Sequence, residues 1–365
     1  MAAEDHDWNR VPWWCWAAPL LAAALVAAKL THLVEPDGLV FVVLAVALLG
    51  GAVFAAVHHA EVLAVKIGEP FGSILLALAI TTLEAGLIIS VMASGASGSD
   101  VVARDTVFSV VMIVLNGIVG LCLVIGGARH FEQEFRVQGA AGILSVIATL
   151  AIVALVLPNF TLTTAGPVYA PSQLLFVGAV SLLLYVVFVF VQTVRHRDDF
   201  VIEDSTASHG EPPGNRSVLI SSLLLIVSLV VVIFLAKSLS PLLGAAVVKA
   251  NLPLSIVGVI IAIIVLLPEG LTAMKAARRN RLQTSLNASL GSALASIGLT
   301  IPIAAVASVL LGVPLVLGLD GESMVLLTLT LFVASLTLST GRTTVLQGAV
   351  HLVIFCVFVF LSAIP

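Results

Sequence analysis

Apolar residues in this chain come in long runs broken by short polar stretches. Eleven runs are long enough to be helices that cross about 30 Å of hydrocarbon at about 1.5 Å per residue. They are Trp13–Val34, Gly38–Val57, Pro70–Ser94, Val107–Ala128, Gly142–Leu157, Ser172–Arg195, Ser217–Lys237, Pro253–Ala276, Ser285–Gly312, Glu322–Leu338 and Thr343–Ile364. A core helix of a water-soluble protein would carry a polar stripe; Leu174–Val194 and Val218–Ala236 carry none. The pattern predicts an all-α integral membrane protein of about eleven transmembrane helices.

Composition agrees. Of 365 residues, 60% are hydrophobic and 10% charged, and the mean hydropathy is +1.19. A soluble chain of that make-up lacks the polar surface to face water. The net charge of −4 gives no basic surface for nucleic acid. Cys15, Cys122 and Cys356 are scattered through apolar runs, which is neither a disulfide framework nor a zinc site; they read as small buried apolar residues. Glu4, Asp5, His6 and Asp7 precede the first run, unlike the basic start of a cleaved secretory signal, so a cytoplasmic tail and an uncleaved first helix are expected.

Lys and Arg set the orientation. With eleven spans, Lys29, Arg104, Lys237 and Lys249 fall on one side and the other twelve of the sixteen on the side of the N-terminus. This predicts a plasma-membrane protein with a cytoplasmic N-terminus and an external C-terminus. The acidic stretch 196–216, with Asp198, Asp199, Glu203, Asp204 and Glu211, reads as a solvated cytoplasmic linker. The chain then divides into residues 1–36 (tail and first helix), 37–195 (five helices), the linker, and 217–365 (five helices).

The two five-helix parts resemble each other. Ser73–Leu87 and Gly258–Thr272 each hold one acid in an apolar run, Glu84 and Glu269, 185 residues apart. Val114–Val119 lies over Ala293–Gly298 at an offset of 179. An odd number of spans per copy forces the copies to insert in opposite directions, so these are inverted repeats, the plan of many secondary transporters. Glu84 and Glu269 lie about 21 and 24 Å along their spans by helical rise, near mid-membrane from opposite sides.

An ionised acid at that depth is costly and is a functional candidate by default. A carboxylate there can hold a proton or face a cation, but not both, which is the requirement for antiport. The bland alternative is an acid hydrogen-bonded into a helix contact. Calcium takes six to eight oxygens, so neighbours must contribute; Thr81, Thr82, Asn116, Asn287, Ser292 and Ser296 are candidates, with packing alone the alternative for the serines. Pro268, beside Glu269, leaves a backbone carbonyl without its helical donor. His58 and Glu61, three apart on one helix face, close the second span and could relay protons or gate; His351, eight residues inside the last span, could do the same or be structural. No resident cofactor is expected; small cations, protons and the bilayer are the partners.

At the stretches His58–Ala64, Gly68–Gly72, Thr81–Met92, Leu267–Leu271, Gly291–Pro302 and Ser339–Leu352, the chain resembles the bacterial calcium/proton antiporters of the calcium/cation antiporter superfamily, the Cha type. The resemblance implies an eleven-span bundle of two inverted five-helix repeats after one extra helix, calcium export in exchange for protons, and an acid in each repeat at Glu84 and Glu269. The wider exchanger pattern places Gly-Asn shortly before each acid, where this chain has Ile80-Thr81 and Val265-Leu266. Sodium or potassium exchange is therefore the alternative. An intramembrane enzyme and a passive channel are more distant: adjacent His58 and His59 cannot share one metal from a regular helix, and there is no repeated ring of charge.

Overall fold

The computed structural model describes residues 11–31, 39–68, 71–93, 95, 98–195, 213–249, 252–253 and 255–364. The helices are α1 (Trp13–Leu30), α2 (Leu39–Ile67), α3 (Phe71–Met92), α4 (Val102–Met112), α5 (Val119–His130), α6 (Val137–Ala151), α7 (Pro171–Phe190), α8 (Asn215–Lys249), α9 (Ser255–Arg278), α10 (Leu282–Leu311), α11 (Gly321–Leu338) and α12 (Val345–Ala363). A π turn, Ile113–Ile118, joins α4 to α5 into one span, and two two-residue strands, β1 (Gln133–Glu134) and β2 (Arg342–Thr343), complete the order. Among the described residues, eleven helices are long and apolar enough to cross a membrane, as the hydropathy pattern predicts. The acidic tail 1–10 and most of the linker lie outside the described residues.

Helix ends depart from the hydropathy pattern where polar residues are tolerated inside helices. α2 runs on past Val57 to Ile67, because no breaker occurs until Gly68, which closes the helix at φ +77° in a conformation glycine alone takes without strain. The His58/Glu61 cluster is therefore inside α2, not at its end. α8 continues past Lys237 to Lys249 with Pro241 within it. α4 begins at Val102 rather than Val107 and admits an Arg104–Asp105 ion pair of 2.8 Å.

One compact unit comprises residues 1–94 and 203–246. In it α1 packs along α2 and α2 along α3. Gly51 lets α2 approach α1, where an added Cβ would sit 3.1 Å from Ala18 Cβ. Cys15 is buried here, whereas Cys356 in the other unit is exposed, contrary to the expectation of three buried thiols. A small apolar side chain can face lipid as readily as a core.

The second unit comprises residues 95–202 and 247–365 and carries the repeat in its own contacts. α7 packs along α10 and α12 along α5: the last span of each sequence copy lies against the third span of the other. Both crossings use glycine. Gly298 of α10 meets Tyr185, with an added Cβ 2.9 Å from its Cβ, and Gly348 of α12 would place one 2.8 Å from the Gly120 carbonyl. β1 pairs antiparallel with β2, joining the α5–α6 connection to the α11–α12 connection. A matching bridge, Val168 to Val316, joins the α6–α7 connection to the α10–α11 connection. Exchanging the two copies maps one pairing onto the other. The most enclosed spans are 102–130 and 282–311, which are equivalent in the two copies. Outward faces of this unit remain apolar, as at Leu183, Phe332 and Val353, which suits lipid and not water.

Candidate cation site

Glu269 is the fifteenth residue of the 24-residue α9, which stays helical through Pro268. Losing the proline N–H leaves the Ile264 carbonyl without its helical donor. α10 returns alongside, and Ser292 donates its hydroxyl to Glu269 Oε1 at 3.2 Å, uniting two of the residues expected from sequence. Gly270 lets α9 close on the π turn, where an added Cβ would lie 3.3 Å from Ile118. Asn116 lies in that turn, completely buried.

The Asn116 amide is engaged on both atoms. Nδ2 donates to Thr330 Oγ1 at 2.8 Å, and Oδ1 is 3.1 Å from His351 Nδ1. The other ring nitrogen, Nε2, is 3.1 Å from Thr337 Oγ1. The structure thus joins Asn116, expected as a ligand, to His351, expected as a relay or gate. Thr330 and Thr337 were not singled out from sequence; the only available signal was a few threonines within the apolar Leu326–Leu338 run. Asn287 belongs to a different chain of contacts: the Arg136 N–H donates to Gln283 Oε1 at 2.7 Å, and Gln283 Nε2 donates to Asn287 Oδ1 at 2.9 Å. Ser296, one turn past Ser292, is buried.

In the other unit, Glu84 is the fourteenth of the 22 residues of α3 and is 3% exposed. Thr81, one turn before it, is buried on the same face. Thr82 points outward and returns its hydroxyl to the Leu78 carbonyl at 2.7 Å, the common satisfaction of a helical threonine.

His58 lies against the Trp14 ring at 6.0 Å between centroids. Its neighbour His59 is the buried, fully engaged histidine. Nε2 is 3.1 Å from the Cys15 carbonyl and Nδ1 is 3.2 Å from Ser221 Oγ. A carbonyl only accepts, so Nε2 donates and Nδ1 accepts the serine proton. Glu61 reaches the same neighbourhood, within electrostatic range of the Cys15 thiol. Adjacency in sequence hid the division of labour between the two histidines.

At the end of the second unit where α4 and α11 begin, a cavity of about 120 Å³ is lined by Arg104, Asp105, Ser109, Asp320 and Glu322 among others. Asp320 also caps α11, accepting the Ser323 N–H at 2.8 Å. Among the described residues, no three His, Cys, Asp or Glu side chains converge as a metal-holding group. Outside the membrane-spanning helices, burial pushes the Tyr169 hydroxyl up to about 12, and it donates to the Val153 carbonyl at 2.6 Å.

The chain is similar to several known proteins. A protein of Sinorhizobium fredii, provisionally named an ionic transporter, is 53% identical over 97% of each chain. The sodium-potassium/proton antiporter ChaA of Escherichia coli is 36% identical over 84% of each. The Ca(2+)/H(+) antiporter ChaA of Bacillus subtilis is 23% identical over 80% of this chain and 82% of its own. Two solved structures share the fold: native YfkE, with a TM-score of 0.74 at 17% identity, covering 96% of this chain and 100% of that one, and the H+/Ca2+ exchanger CAX, with a TM-score of 0.71 at 16% identity, covering 95% and 87%. The sodium/calcium exchanger protein family matches residues 38–194 and 220–364, so the chain belongs to that family of membrane exchangers and is not an enzyme.

Proposed function

We propose that the chain is a cation/proton antiporter of the plasma membrane that exports calcium, with Glu84 and Glu269 each alternating between a proton and the cation. The observation that carries this is Glu269 itself: an acid halfway along a membrane-length helix, with a hydroxyl donated from the neighbouring helix at 3.2 Å. Glu84, at the matched position of the other repeat, is 3% exposed, while Glu269 is half-buried with its Oε2 atom enclosed. Burial makes the charged form costly unless a cation or proton attends it, so each carboxylate can exchange one for the other. Oxygen-only neighbours suit a hard cation.

A second reading is sodium or potassium exchange. It is favoured by the name of the 36% identical relative and by Ile80-Thr81 and Val265-Leu266, where an amide would otherwise add ligands. A monovalent ion makes a smaller demand for charge and oxygens. Flux into inverted vesicles under an imposed pH gradient separates the readings. Proton-coupled uptake of calcium supports the first; uptake of sodium or potassium without calcium supports the second. No uptake of any of the three would end both.

A further inference from the structure

Behind the Glu269 helix, four side chains and a thioether form one continuous hydrogen-bonded chain. Thr337, His351, Asn116 and Thr330 are each at most 4% exposed, and they link α11, α12 and the π turn. The links are Thr337 Oγ1 to His351 Nε2 at 3.1 Å, His351 Nδ1 to Asn116 Oδ1 at 3.1 Å, Asn116 Nδ2 to Thr330 Oγ1 at 2.8 Å, and Thr330 Oγ1 to Met112 Sδ at 3.4 Å.

With the Asn116 oxygen toward a neutral His351, donor and acceptor chemistry sets the direction of every link. An amide oxygen only accepts, so His351 carries its proton on Nδ1. Nε2 then presents a lone pair, which accepts the Thr337 hydroxyl. Asn116 donates onward to Thr330, whose hydroxyl points at the Met112 sulfur. All protons run one way and the chain ends on a thioether, a weak acceptor that holds no proton. An amide in the middle does not pass a proton along. Turning the amide over reverses the bonds on either side of it, but the same interruption remains.

The chain has a mechanical consequence. A π turn holds one more residue than an α turn, so closing it to α would rotate one flank relative to the other by about 100°. Ile118, its last residue, is what Gly270 packs against beside Glu269, at 3.3 Å to an added Cβ. Asn116 and Gly117 are poor helix formers and do not hold a span together by propensity. α12 lies so close that a Cβ on Gly120 would be 3.0 Å from His351 Cβ, and the ring is held at both nitrogens.

We propose that His351 is a positioning residue for the cation site: it locks the Asn116 amide, and through it the π turn, against the helix that carries Glu269, and it does not carry the transported proton. The proposal rests on the reading of Glu269 given above. Its test compares His351→Leu with His351→Asn in proteoliposomes, on purified protein that elutes as a single folded species. His351→Leu strands the Asn116 oxygen and the Thr337 hydroxyl in a dry site. The expected result is a rise of about tenfold or more in the cation KM, a smaller fall in kcat, and an unchanged pH profile of exchange. Asparagine places an N–H near the former Nδ1–H and cannot titrate, so His351→Asn is expected to recover most of the lost KM with the same pH profile. A shifted pH profile in either variant, or no rescue by asparagine, overturns the positioning role; if the leucine variant does not fold, the pH profile of the asparagine variant decides. Glu269→Gln, run beside them, keeps the two claims apart: persistent exchange in that variant overturns the acid's role, whereas the pH profiles of the position-351 variants decide the histidine's.

Discussion

Ser292 on α10 and Glu269 on α9 are joined by a 3.2 Å hydrogen bond in which the serine donates. A donor to a carboxylate contributes about 1.5–3 kcal/mol when it supports the charged form. Ser292→Ala is therefore expected to leave the fold intact and raise the cation KM by roughly tenfold or more. Initial rates of exchange against cation concentration measure this directly; an unaltered KM would show that the hydroxyl serves packing alone.

Glu84→Gln and Glu269→Gln keep side-chain shape and remove the charge. Each is expected to abolish proton-coupled exchange while the protein still inserts and purifies normally. Protons and cation compete for the same carboxylates, so the wild-type cation KM should rise as pH falls. Near-wild-type exchange in either variant, or a KM that does not move with acidity, would redirect the search to His58, Glu61 and the acid-lined cavity at Asp105 and Asp320.

Much of this architecture was legible in the residues. Hydropathy alone located eleven spans, and the paired acids marked the repeat, because a charge in hydrocarbon has few explanations. Helix ends were less legible: Arg104, Asp105, His58 and Lys237 lower the local hydropathy, yet each stays helical, Arg104 and Asp105 by pairing with one another. The contacts of the candidate site were the least legible. Thr81 and Thr82 are adjacent and chemically alike, but only Thr81 shares the buried face of Glu84. Asn116 and His351 are 235 residues apart, and only the α5–α12 crossing brings them within reach. Thr330 and Thr337 looked like ordinary spacers in an apolar helix.

His59 fastens α2 to both α1 and α8 through the Cys15 carbonyl and Ser221. His59→Leu fills the space and strands both partners, each at a cost of about 1–3 kcal/mol. It should lower the melting temperature in detergent clearly more than Ser221→Ala, which removes only one link. Equal stability of the two variants would contradict this account of the contact.

Gly348 has no room for a side chain: an added Cβ would be 2.7 Å from the Val124 nitrogen and 2.8 Å from the Gly120 oxygen, both backbone atoms. Backbone cannot yield as a side chain can, so Gly348→Val should force α12 away from α5 at a cost of about 1–3 kcal/mol or more. Gly142 of α6 has nothing within 4 Å, and Gly142→Ala should be neutral or stabilising by up to about 1 kcal/mol. Thermal melts of the two variants measure the contrast, and a Gly348→Val variant as stable as the parent would refute the packing argument.

The two strand pairings turn orientation into an experiment with internal controls. The α5–α6 and α11–α12 connections meet in the β1–β2 pair, so they lie on one side of the membrane. The α6–α7 and α10–α11 connections meet at Val168 and Val316, at the opposite ends of their helices. The first side carries Arg129, Arg136, Lys275, Arg278 and Arg342 at or near the ends of its helices, and an excess of Lys and Arg marks the cytoplasmic face. Glu132 is exposed on that side, and Leu162, 99% exposed, on the other. With the parent chain as the background for its own thiols, Leu162→Cys should react with a membrane-impermeant maleimide in intact cells. Glu132→Cys should react only after permeabilisation. The reverse pattern would invert the whole assignment, including the direction of export, while labelling of both from outside would contradict the span count between them.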